Sequence, residues 1–383
     1  MPHRFSRDHW RIASFYFFYF AFVGMFAPYW SLYLQSLGFG VVEIGLLMSV
    51  QPVMRMLAPS LWGWLADHTG QRLRVIQLAA LLSLLAYCGV FFVSQFWGML
   101  LVLAAMSFFW SASMPLVEAT TLTYLGQRSA DYGRIRSWGS VGFIVAVLGL
   151  GYALDYVAIG WLLWSGLLIF GGILWSAHGL PATRSETHSS DDQPVLSLLC
   201  RPPVLALFGS CFLMALAHGP YYTFYSIYLV EHGYAKSAVG WLWALGVICE
   251  IAVFFLMPWL LRRTTLPRIL IVSLALAVVR FLLIGWCIDS LPLVLLAQGL
   301  HAATFGAFHA AAVALVHHFF RGRHQSRGQA LFGSLTYGAG GMLGGLVSGP
   351  LWASAGAALT YSFSAAMASL GLLLMVWKLR HLD

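Results

Sequence analysis

Hydrophobic positions run along this chain in long unbroken blocks, not in the short alternating or one-faced patterns of a water-soluble domain. Apolar stretches fall near 12–36, 42–66, 75–94, 97–125, 135–155 and 158–178, and resume near 204–230, 237–261, 268–288, 292–319, 328–350 and 356–379. Each reaches the ~20 residues that cross a hydrocarbon layer. A segment in lipid must satisfy its own backbone polar groups, so each is predicted to be a helix. Between the sixth and seventh lies the only strongly polar stretch of any length, Gly179 to Pro203, which contains SETHSSDDQ. The pattern predicts an all-α membrane protein. Twelve transmembrane helices form two pseudo-symmetric six-helix bundles, residues 1–178 and 204–383, joined by a cytoplasmic linker, 179–203.

An internal repeat supports the division. PYWSLYLQSLGFGVVEIG, from Pro28, aligns with TFYSIYLVEHGYAKSAVG, from Thr223. The offset is 195 residues (33 to 228), and it pairs Tyr33 with Tyr228, Leu34 with Leu229, Gly38 with Gly233 and Gly45 with Gly240. Further on it pairs Gly133 with Gly328. Parallel halves of this kind are common in membrane carriers.

Composition narrows the class. Charged residues make up 9% of the chain and mean hydropathy is +0.80, against about 25% charged residues in a soluble domain. The rest of the surface is expected to face the lipid bilayer. The first apolar run reads as a membrane span, being too long and too aromatic for a cleaved leader. A net charge of +8 raises the question of nucleic acid, but all the Lys and Arg except Arg55, Arg280 and Lys236 lie near the termini or in every second loop. That is the positive-inside pattern. It puts both termini in the cytoplasm of a bacterium with the chain multi-pass in its inner membrane, and no nucleic-acid partner is expected. The five cysteines are scattered singly, without metal-ligand spacing, and read as small packing residues. No loop carries a nucleophile, nucleotide or metal motif, so an enzyme is not expected, and no soluble signalling domain suggests a receptor.

Ionisable groups inside spans mark sites because they are costly in lipid. Mid-span they are Arg55, Glu118, Glu250 and Arg280, with Arg136 near a helix end. Arg136 has a plainer reading as a cytoplasmic-face anchor. Arg55 and Glu250 are repeat-related (55 + 195 = 250), so either they pair with each other or each faces a polar cavity with another partner. His218 shares a helical face with Tyr222 and Tyr225, and His301 and His309 lie near one face with Phe305 and Phe308. A single membrane histidine is often only an interhelical hydrogen-bonding group; three on neighbouring spans favour a polar pathway. His317 and His318 read as interfacial.

Two local motifs carry a family resemblance. GWLADHTGQRLR, Gly63 to Arg74, follows the second span, and YGRIRSWGSVGF, Tyr132 to Phe143, opens the fifth. The first resembles the loop of major facilitator transporters, G-x-x-x-D-[RK]-x-G-R-[RK]: Gly63, Asp67, Gly70 and Arg72 match, whereas His68 and Gln71 depart. The resemblance implies a cytoplasmic latch. The second is similar to the lactose permease-like proton symporters, with FAPYWSLYL, SAVGWLWALGVICE and HAATFGAFH reading like their phenylpropionate permease branch. It implies that Glu118 and Arg136, 18 residues apart, are a substrate-binding pair and that Phe143 stacks on the solute. Arg55, His218 and Tyr222 are added to that set on their placement. By the same resemblance Glu250, Arg280 and His301 form the proton-coupling group, with His309 beside them. A further family glutamate, one turn after the histidine, is Thr304 here, which leaves Glu250 as the carrier. The expectation is a monomeric proton symporter that needs no cofactor or metal beyond its coupling ion and imports a small organic solute such as an aromatic carboxylate. A sugar or nucleoside symporter and a drug exporter are the alternatives.

Overall fold

The structure is a computed structural model that describes residues 6–182, 199–320 and 325–379. Arg4, Arg184, Arg321, Arg323, Arg380 and most of the linker lie outside the described residues. The described chain folds into helices α1 (Arg7–Ser36), α2 (Val41–Thr69), α3 (Arg72–Cys88), α4 (Phe96–Leu125), α5 (Tyr132–Tyr156) and α6 (Trp161–Gly179). Beyond the linker come α7 (Pro202–Ala217), α8 (Gly219–Glu231), α9 (Lys236–Leu261), α10 (Leu266–Trp286), α11 (Leu291–His301), α12 (Phe308–Phe319), α13 (Gln325–Gly333) and α14 (Gly341–Leu379).

Eleven helical stretches among the described residues are long and apolar enough to cross a membrane. The last of them, Arg327–Lys378, is 52 residues long, about 78 Å if it were one straight helix, far more than a ~30 Å core needs. It breaks at Gly356, whose φ of 80° and ψ of 177° no helix contains. Glycine tolerates that geometry because it has no Cβ. The break turns the stretch into two spans and makes the total among the described residues twelve. Large apolar side chains such as Phe92, Trp97, Leu168 and Phe255 stand exposed along the spans, as lipid-facing residues should.

Three spans of the second half are not continuous α-helix. The seventh divides at His218 into α7 and α8. Pro220 has no N–H and its ring crowds the carbonyl four residues back, so the helix restarts there. The tenth and eleventh each contain a π-helical stretch, Ala302–Ala307 and Ser334–Gly340.

The repeat is visible in hydrogen bonds. After α1, Leu37 N–H donates to Tyr33 O at 3.2 Å and Phe39 N–H to Leu34 O at 3.3 Å; after α8, His232 N–H donates to Tyr228 O at 3.2 Å and Tyr234 N–H to Leu229 O at 3.1 Å. Gly38 and Gly233 sit at the same point with φ of 86° and 83°. Both are helix-ending turns with a left-handed glycine.

The chain forms two compact units. The first holds Met1–Phe39, Val53–Ser190 and Ala235–Gly240; the second holds Gly40–Pro52, Asp191–Tyr234 and Trp241–Asp383. In the first, α1 crosses α5 closely: a Cβ on Gly142 would overlap the Phe17 carbonyl, and one on Gly24 would lie 2.6 Å from Phe143 O. Small residues at helix contacts let backbones approach where no hydrophobic force separates helix from lipid. The Asp155 carboxylate accepts from the Lys236 N–H at 2.8 Å and so caps the start of α9. In the second unit, Gly219 of α8 meets the backbone of Gly344 on α14, and Gly45 of α2 meets Gly345 and Gly349.

Candidate functional site

The buried polar groups of the second unit gather around one guanidinium. Arg280, on α10, is 0% exposed. Its Nε donates to Ala297 O at 3.1 Å, and its Nη1 donates to His218 Nε2 at 3.1 Å and to Thr304 Oγ1 at 3.4 Å. The guanidinium carbon lies 4.3 Å from the centre of the Tyr221 ring, within cation–π range. Tyr221 in turn donates to Gln298 Oε1 at 3.2 Å.

These contacts fix the state of His218. Its Nδ1 lies 2.8 Å from Met214 O, and a carbonyl only accepts. Its Nε2 faces Arg280, and a guanidinium only donates. His218 is therefore the neutral tautomer with its proton on Nδ1, committed to orienting Arg280. Its ring packs near Tyr221 and Tyr222; the sequence placed Tyr225 on that face, and the break at Pro220 turns Tyr221 toward it instead.

The acid and the second histidine form a separate pair. Glu250 Oε1 and His301 Nε2 are 2.7 Å apart, with side chains 14% and 7% exposed. Room for the pair comes from two glycines. A Cβ on Gly246 would lie 3.1 Å from the His301 ring, and one on Gly306 would lie 3.3 Å from Glu250 Cγ. Gly246→Ala should therefore tilt the imidazole and weaken the pair. Thermal denaturation of the purified variant is expected to shift to lower temperature, and an unchanged midpoint would show that the ring has room to move.

The rings continue in a stack. His301 and Phe305 are 5.4 Å apart at 11°, and Phe305 and His309 are 6.4 Å apart at 14°. His309 Nδ1 meets Tyr337 Oη at 2.6 Å. Phe305 and Tyr337 come from the two π-helical stretches. An extra residue per turn there re-aims side chains, which is why such stretches recur at functional sites. Phe308, predicted on this face, is buried apart from the stack.

In the first unit Glu118 and Arg136 come together loosely, at 4.0 Å. Tyr132 donates to Glu118 Oε1 at 3.3 Å, and the Arg136 guanidinium lies 3.9 Å from the Phe20 ring centre. Phe20 neighbours Tyr19, and Tyr19 stacks on Trp110 at 4.3 Å and 9°. Arg55 lies over the other part of this wall, 5.2 Å from the Trp110 ring, and is exposed. An aromatic run on α1 and α4 thus joins two cations. Phe143 is only 7% exposed. Arg55 and Glu250 each have a partner within their own unit. In the loop after α2 Gly70 takes the turn conformation, φ 64°, and Gln71, the departure from the family pattern, accepts from Arg74 Nη1 at 2.7 Å.

Gln298, Trp110 and Tyr337 went unsingled in the sequence. A mid-span glutamine one turn before His301 was a readable sign; Trp110 and Tyr337 carry none among so many aromatics. Cys200 is exposed and Cys211 buried, so packing accounts for the second and not the first.

Among the described residues, apolar spans that number twelve once the last stretch is divided at Gly356, a sequence and backbone repeat, and buried ionisable groups within the spans fit a membrane transporter of the major facilitator type. The chain belongs to the MFS_1 like family, which it matches over residues 9–363. It is 34% identical over 308 residues to the probable 3-phenylpropionic acid transporter of Escherichia coli (strain K12), covering 78% of this chain and 79% of that protein. It is 29% identical over 283 residues to the maltose permease of Geobacillus stearothermophilus, 70% and 68% of the two chains. A crystal structure of a mutant of the nucleoside transporter NupG shares its fold, with a TM-score of 0.86 at 17% identity, over 97% of this chain and 100% of that one. Its relatives are transporters, and it is a transporter and not an enzyme.

Proposed function

We propose that this transporter imports a small organic acid, an aromatic carboxylate of the 3-phenylpropionate kind, together with a proton, by alternating access. The observation that carries the proposal is the 2.7 Å Glu250–His301 contact. A carboxylate and an imidazole held in hydrogen-bond contact away from water can take up and give back one proton without exposing a bare charge to lipid. Glu250 is the carrier, with His301, His309 and Arg280 around it. Within the first unit, the exposed Arg55 on its aromatic wall, with Phe143 and the Glu118–Arg136 pair, is proposed to bind the solute. One relative, a probable 3-phenylpropionic acid transporter, supports the aromatic acid.

A neutral solute is the second reading: Glu118 and Arg136 approach to 4.0 Å, and the resemblance to lactose permease-like symporters implies that such a pair binds the substrate. Uptake into vesicles with an imposed pH gradient, inside alkaline, separates the readings. Accumulation of 3-phenylpropionate but not maltose or uridine is expected, and accumulation of either neutral solute alone would overturn the organic-acid assignment.

The monomer is proposed to sit in a bacterial inner membrane with both termini in the cytoplasm, where the Gly63–Arg72 loop acts as a latch. Reporter fusions after Gly70 should report cytoplasm and one after Glu231 the opposite side. The reverse result would invert the arrangement.

A further inference from the structure

We propose that Arg280 forms a buried anion site of its own, which takes a compact monovalent anion, a carboxylate or a halide, as the Glu250–His301 pair takes a proton. The site is independent of Arg55 and rests on the preceding reading only in placing the coupling proton on Glu250.

The argument begins with unused donors. Arg280 spends Nε on Ala297 and both N–H groups of Nη1 on His218 and Thr304. Its Nη2 is buried with no hydrogen-bond partner within 3.5 Å. Among the described residues no carboxylate lies within 4.0 Å of this guanidinium. A buried guanidinium is normally compensated by an acid, because an uncompensated buried charge is expensive. A merely structural arginine would have its fork filled.

Thr304 explains why it is not filled. Its hydroxyl accepts from Nη1 and donates to His301 O at 3.3 Å. It bridges the cation to the histidine without supplying a negative charge, so the guanidinium is held in place and left open to an outside anion. His218 contributes no charge either, since its tautomer is fixed as neutral.

Charge bookkeeping then links the two sites. With Glu250 ionised and His301 neutral, the pair carries −1 and Arg280 +1, and the cluster is balanced. One proton added to the pair, on either the carboxylate or His301 Nδ1, which has no partner, leaves the cluster at +1. One anion at Nη2 restores balance. Proton and anion therefore load together, and neither is favourable alone. The groups that face this exchange from the surrounding helices are His218, Tyr221, Tyr222, His309 and Tyr337, with Arg280 itself; the tyrosines and the neutral His218 do not change the count, whereas a proton on His309 would add one positive charge to it.

The test uses the purified full chain in halide-free detergent buffer. Binding of chloride, 3-phenylpropionate and neutral 3-phenylpropionamide is read by thermal shift and tryptophan fluorescence at several pH values. The expected result is that one anion binds with an affinity that falls about tenfold per pH unit as pH rises, the signature of one proton taken up per anion, while the amide does not. Chloride alone would identify a free halide as the occupant, and the carboxylate alone would identify the solute. Thr304→Glu returns an acid to Arg280 and should weaken the anion about 30-fold or more, whereas Thr304→Gln, of equal size, should weaken it much less. Equal loss in both variants, or no loss in Thr304→Glu, overturns the site. So does wild-type anion binding that is flat with pH, which needs no variant to fold. Failure of 3-phenylpropionate to accumulate in vesicles would remove the organic-acid reading while leaving the chloride arm to decide this one.

Discussion

Vesicles carrying Glu250→Gln should lose uphill accumulation of the solute and keep exchange of labelled for unlabelled solute. Glutamine preserves the volume beside Gly306 and a hydrogen bond to His301, so the packing of α9 on the tenth span survives. What it cannot do is exchange a proton with the solution on either side. A carrier that moves one proton per solute can concentrate that solute about tenfold for each unit of pH gradient; with the proton site frozen the ratio should fall to equality. The variant resembles the protonated pair, so its affinity for an anion should lose its pH dependence, and that separates coupling loss from misfolding. If the solute is a monovalent carboxylate carried with one proton, wild-type transport moves no net charge and should ignore an imposed membrane potential, which is worth about 2.3 kcal/mol per charge per 100 mV. A Glu250→Gln protein that still concentrates solute under a proton gradient would move the carrier role to Glu118 or a histidine.

The apolar spans among the described residues were legible because lipid imposes a length and a composition on each segment that few other pressures share. The repeat was legible at Gly38 and Gly233, where a left-handed turn demands glycine in both halves. That Glu250 would have a partner was foreseeable because a mid-span charge has few other stable options, but the sequence pointed to an arginine, Arg55 or Arg280, and not to the His301 contact at 2.7 Å; Glu118 and Arg136 were brought together by the family resemblance alone. Three features were not legible. The π-helical stretches at Ala302–Ala307 and Ser334–Gly340 leave no mark in hydropathy, since the extra residue shifts the register without changing the apolar content. The commitment of His218 to Arg280 follows from a break at Pro220 that moves Tyr221 into the neighbourhood expected of Tyr225. Thr304 was seen only as a missing acid; that its hydroxyl tethers the guanidinium depends on the packing of α10 against the tenth span, which no spacing rule encodes.

Arg55→Ala should weaken binding of an aromatic carboxylate about tenfold or more, the scale of losing a charge-assisted contact, and transport should fail with it. The guanidinium sits over Trp110 at 5.2 Å while Tyr19 stacks on the same indole, so the cation is oriented by the wall and still exposed to a solute. A planar fork can meet a carboxylate through two parallel hydrogen bonds, which an ammonium cannot. Arg55→Lys keeps the charge and the cation–π contact but loses the fork, and should therefore bind more weakly than wild type yet retain some transport. Phe143→Ala should reduce affinity less, because its ring is largely enclosed. The competing account makes Arg55 a structural counter-charge for Glu250, its repeat mate. On that account Arg55→Ala lowers expression and thermal stability, and adding Glu250→Ala restores both. Since Glu250 already has His301 at 2.7 Å, the expected result is that the double variant is no more stable than Arg55→Ala and does not transport. Recovery of wild-type transport in the double variant would rule Arg55 out as the anchor of the solute.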